Sequence, residues 1–141
     1  MATFHAVYDA VRVAVEAIST WQETKTPLGA GMMPATEAVG TVPFFIDVAA
    51  GESTISPAGG DVGMVEQDLI VEFISPLDAA YTTSMGTALD RISTLIGTLD
   101  QHDALGSVDA HADYQDHSIE RTDRYLIVQV GFTVRHTLTY T

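Results

Sequence analysis

The C-terminal run RYLIVQVGFTVRHTLTY constrains this chain more than any other stretch. Leu126, Val128, Val130, Phe132, Val134, His136, Leu138 and Tyr140 share one parity, while Gln129, Gly131, Thr133, Arg135, Thr137 and Thr139 share the other. Alternation with a period of two puts one set of side chains on a core and the other in water, which defines a half-buried strand. Continued to Tyr140, it spans about 50 Å at about 3.3 Å per residue, more than the width of a domain this small. The strand therefore bends near Gly131, or projects and pairs with a neighbour.

A strand of this kind needs partners, and the rest of the sequence supplies them. Pro43 opens Phe44-Phe45-Ile46-Asp47-Val48, whose aromatic and β-branched content favours a strand. Val65, Leu69, Val71 and Phe73 alternate with Glu66, Asp68 and Glu72, giving another, with only Gln67 and Ile70 out of pattern. A short strand is expected around His117 to Arg121, at the end of a polar interval that begins at Asp100 and reads as a loop. Between the first two strands, Ala49 to Gly63 is rich in Gly, Ser and Pro with no apolar period, and is expected to be a long mobile connection.

Two helices complete the list. Val7, Val11, Ala14, Val15 and Ile18 recur at spacings of three and four from Phe4 to about Ser19, with Thr3 available as N-cap. Ser75-Pro76-Leu77-Asp78 reads as a helix start: an N-cap serine, a proline at the first position and a carboxylate at the third. The stripe Leu77, Tyr81, Met85, Leu89, Ile92, Leu95, Ile96 and Leu99 carries that helix onward. The expected fold class is α+β: a four-stranded, mainly antiparallel sheet with two helices packed on one face, in the order α-β-β-α-β-β.

With 141 residues the chain is read as a single domain, residues 1–141, and its 46% hydrophobic and 18% charged composition is that of a packed globular protein. Its net charge of −13 repels phosphate, which argues against nucleic-acid binding through a basic patch. No apolar run approaches the length of a membrane span, and the N-terminus lacks the basic-then-apolar order of a signal peptide, so synthesis and assembly in a cytoplasm are expected. The absence of cysteine removes disulfides, thiolate nucleophiles and cysteine-rich zinc sites.

Chemistry-bearing residues are few. The densest group is Asp100, His102, Asp103, Asp109, His111, Asp113, Asp116 and His117. Carboxylates and neutral imidazoles ligate divalent metals, and Asp109, His111 and Asp113 would lie on one side of an extended segment, with His117 beyond them. A polar loop in so acidic a chain carries the same residues, and fixed ligand geometry is what the pattern does not supply. His136, on the apolar face of the last strand, reads as a core or interface histidine, since it has no placed catalytic partner. No nucleophile elbow and no phosphate loop are present, so the chain is expected to be neither an enzyme nor a cofactor binder.

In layout the chain resembles the tail terminator proteins of long-tailed bacteriophages, also called tail completion or head-tail joining proteins. The likeness rests on the opening helix, the strand pair around the 49–63 loop, the passage DLIVEFISPLDAA entering a long helix, and the final strand. It implies a structural virion protein without catalysis, assembled as a homohexameric ring at the head-proximal end of the tail. The implied partners are other copies of itself, the tail tube protein and the head-tail connector protein, with DNA only passing through. The contact regions it implies are the loop, at Glu52, Ser53, Thr54, Ile55, Ser56 and Asp61, and the end of the last strand, at Arg135, Thr137, Thr139 and Tyr140. The alternatives are another tail or neck component or, in a different class, a metal-binding module or metal-dependent enzyme using Asp109, His111, Asp113 and His117.

Overall fold

The computed structural model describes residues 3–24, 41–48, 53–59, 62–77, 80–100, 105, 109–122 and 125–139. Helix α1 (Phe4–Glu16) is followed by strands β1 (Trp21–Glu23), β2 (Val42–Asp47), β3 (Ser53–Gly59) and β4 (Val62–Pro76). Helix α2 (Tyr81–Leu99) and strands β5 (Ala110–Arg121) and β6 (Tyr125–Thr139) complete the fold. Five strands lie side by side in the order β1-β2-β4-β6-β5, and β3 joins them by pairing with β4.

This corrects the four-stranded, mainly antiparallel sheet and its order α-β-β-α-β-β. The sheet is mixed, because β1 runs parallel to β2, and four strands rather than two separate the helices. Two strands escape a reading based on apolar period. β1 is only three residues long, although its Trp21 is a core residue. β3 occupies the middle of the stretch expected to be a mobile connection, residues 53–59 of 49–63. Its backbone pairs antiparallel with β4 from Ser53↔Gln67 to Gly59↔Val62, with an irregularity between Pro57 and Gly59. Main-chain hydrogen bonds suffice to form such a strand, and Pro is tolerated where a strand needs no inner ladder bond.

The spine of the molecule is the β4–β6 ladder, whose antiparallel register runs without a shift from Val62↔Thr139 to Pro76↔Tyr125. On its other side β4 is shared: its first half pairs with β3 and its second half with β2, at Phe44↔Phe73 through Asp47↔Ile70. β6 is thus paired past Gly131, and the irregularity falls on its neighbour. β5 carries a bulge between Tyr114 and Asp116, where Asp116 pairs with Gly131. A β-carbon on Gly131 would come within 2.5 Å of Asp116 Oδ1, so this crossing is made without one.

β4 ends where a helix was expected to start. Ser75 is buried and paired with Leu126, and Pro76 closes the strand opposite Tyr125. Helix α2 begins at Tyr81 with Ala80 at its N-cap and no side-chain capping bond. Its buried stripe is Ser84, Ala88, Ile92, Leu95 and Leu99, which leaves Tyr81 and Leu89 exposed, contrary to the expected stripe. Helix α1 buries Val7, Val11 and Val15, and Thr3 Oγ1 accepts the Ala6 amide at 3.0 Å as its cap. These helices pack on the sheet face formed by Phe44, Leu69, Val71, Phe73, Val128, Val130, Phe132 and Val134. Burying a side chain of this size contributes about 1.5–3 kcal/mol, which is why this face carries the fold.

Candidate assembly surface

The alternation of β4 and β6 sends their remaining side chains to the face opposite the helices. That face changes character along the ladder. Toward the Pro76 end it is buried: Ile74 is 1% exposed, Ile127 6% and Glu72 5%. Gln129 Nε2 donates to Glu72 Oε1 at 2.8 Å, and Glu72 Oε2 has no hydrogen-bond partner among the described residues. In the middle, a cavity of about 220 Å³ opens over Gly131, lined by Ile70, Asp116, His117, Ser118 and Gln129. Toward the Val62 end the face is exposed and polar. Thr133 Oγ1 donates to Asp68 Oδ1 at 2.9 Å, and Thr137 Oγ1 to Met64 Sδ at 3.7 Å. The Arg135 guanidinium joins three strands, lying 3.4 Å from Glu66 and 3.2 Å from Asp113.

Both sequence-derived contact regions lie at this polar end. Ser53, Thr54, Ile55 and Ser56 pair through their backbones with Gln67, Glu66, Val65 and Met64 on one side of β4. Arg135 and Thr137 of β6 pair with Glu66 and Met64 on the other, and Thr139 pairs with Val62 at the ladder's end. Residues from segments some eighty positions apart in sequence thereby flank one stretch of one strand. Glu52, Asp61 and Tyr140 lie outside the described residues.

The polar interval before the last strand is corrected as well. Residues 110–121 form the long edge strand β5, paired with β6 throughout. Asp100, just past α2, reaches across to it, its Oδ2 accepting the Tyr114 amide at 3.0 Å. The β5 bulge then divides the expected metal ligands. Before it, His111 and Asp113 share a face. His111 lies 3.5 Å from Asp109, and Asp113 is engaged by Arg135. After it, parity is reversed, and His117 Nδ1 meets the Tyr114 hydroxyl at 2.6 Å. Among the described residues, no three carboxylate, imidazole or thiol groups gather in a position to hold a metal ion. No helix among them is long and apolar enough to cross a membrane.

On the helix side of the polar end lies His136, 2% exposed. Burial pushes its imidazole below the ordinary value, and the Thr137 backbone offsets part of that. Near the other end, the Tyr8 hydroxyl donates to Glu23 Oε2 at 2.8 Å and ties α1 to β1. Burial, together with that carboxylate, pushes its pKa up to about 12.

No protein-family model matches this chain, and no curated protein matches it in sequence.

Proposed function

We propose that the chain is a structural virion protein that caps the tail tube of a long-tailed bacteriophage as a homo-oligomeric ring, expected to be a hexamer, and joins the tube to the head connector. The observation that carries this reading is the polar end of the β4–β6 ladder. There an exposed sheet face meets the strand β3, which among the described residues pairs with β4 alone, and a strand edge beside exposed side chains is what a neighbouring copy would engage. Of the layout on which the resemblance rests, the opening helix, the strand leading to a long helix and the long last strand support the same reading, whereas residues 53–59 of the loop it also rested on are strand β3.

In this reading the protein works by contact and carries out no chemical step. Its partners are its own copies, the tail tube protein and the connector protein, and it resides at the head-proximal end of the virion tail after assembly in the host cytoplasm. A net charge of −13 suits a ring through which DNA must slide without being gripped. Negative-stain microscopy of the purified chain, alone and mixed with tail tubes, tests the proposal. Rings with a central pore, seated on tube ends in the mixture, are expected. Particles without a pore that leave tube ends bare would overturn it.

A further inference from the structure

His136 stands apart from the other buried polar groups. Its side chain is almost wholly enclosed, and neither Nδ1 nor Nε2 has a hydrogen-bond partner of good geometry among the described residues. Buried polar atoms are almost always paired, because leaving one unpaired costs about 1–3 kcal/mol. What the ring does have is an aromatic contact: Phe4, the first residue of α1, stands edge-on to it, with centroids 5.5 Å apart and planes at 89°. Its strand neighbours are Val65 on β4 and Ala110 on β5, both fully buried.

No described charge is placed to hold an imidazolium at this position. On β4, β5 and β6 the neighbouring charged residues Glu66, Asp109, His111 and Arg135 alternate to the opposite face, where they pair with one another and with Asp113. On α1, His5 and Asp9 pair with each other at 3.3 Å, and Arg12 lies beside Asp9 and Glu16. A proton on His136 would therefore place a cation, offset only in part by the Thr137 backbone, in an apolar enclosure, which disfavours the charged form there relative to a ring moved out to water.

We propose that His136 is an acid-sensitive latch: neutral, it holds the first turn of α1 against the polar end of the sheet through Phe4, and protonated, it leaves the core and releases both. The latch does not rest on the assembly reading. Its direction follows from proton linkage. The unfolded imidazole takes up its proton near pH 6.5, earlier on acidification than the folded one, so the latch is fully closed above that pH and weakens below it.

The test compares the wild type with His136→Phe, which keeps an aromatic ring and removes the titrating nitrogens. In urea unfolding at pH 7.5, 6.5 and 5.5, the wild-type folding constant is expected to fall more than that of the variant below pH 6.5, by up to about tenfold per pH unit. Parallel pH profiles would overturn the latch. An NMR titration of the wild-type imidazole rings tests it without any variant. The His136 signal is expected to titrate below about 6.5, with the protection of the amides of the first turn of α1, taken relative to their intrinsic exchange rates, falling in the same range. Titration of His136 at or above that value, or no change in that protection across its titration, would also overturn it.

Discussion

Glu72 and Glu66 lie on the same strand, point to the same face and are both paired with β6, six residues apart. Glu72 is 5% exposed and shares its carboxyl with the amide of Gln129. Glu66 is exposed and shares its own with a guanidinium that also serves Asp113. One continuous ladder thus has two ends with different physical duties. At the buried end, loss of a partner strands a polar group away from water. At the exposed end of this face, water replaces whatever is removed.

The largest expected effect lies on the helix face behind the buried end. Phe73 is 0% exposed and packs 4.9 Å from Trp21 between ring centroids, so Phe73→Ala should cost about 3–5 kcal/mol in urea unfolding. Gln129→Leu comes next. It removes the hydrogen-bond donor to Glu72 and should cost about 2 kcal/mol in the same assay. A loss within experimental error would show that water reaches Glu72 and would blur the distinction between the ends.

Tyr8 offers a pH-dependent measure. Because its hydroxyl is held protonated up to about pH 12, the stability it contributes is complete below about pH 10 and is lost as pH rises from there toward 12. Tyr8→Phe should flatten that part of the stability profile relative to wild type. The smallest effect belongs to the exposed end. Arg135→Ala should change monomer stability by less than about 1 kcal/mol and make it less dependent on salt, since both ion pairs are open to solvent. A loss as large as that of Gln129→Leu would mean that the two ends do not differ in kind.

The same contrast explains what the sequence made legible. β6 was readable because its alternation from Leu126 onward follows directly from having one buried face, and Val7, Val11 and Val15 marked the core stripe of α1 for a similar reason. β3 was hidden because its pairing with β4 is a main-chain interaction, and glycine, serine and proline leave no apolar period. Of β5 only the stretch from His117 to Arg121 was readable, because an edge strand with mostly exposed residues after Ala112 looks like a polar loop. The start of α2 was misplaced because Ser75-Pro76 has the chemistry of a helix cap, yet pairing with Leu126 and Tyr125 keeps both residues in β4. Of the candidate surface, the residues of two segments could be named, but their meeting on either side of β4 depends on register. The separation of His117 from His111 and Asp113 depends on a bulge that no spacing rule announces.

Sedimentation velocity of the wild type and of Thr137→Lys, across a range of concentrations, tests the central claim most directly. The variant places a charge at the exposed end of the ladder, where Thr137 is only half-buried, and should unfold at nearly the same urea concentration as wild type. The wild type is expected to sediment as a closed oligomer and the variant as a monomer. A wild type that remains monomeric at every concentration would contradict the account.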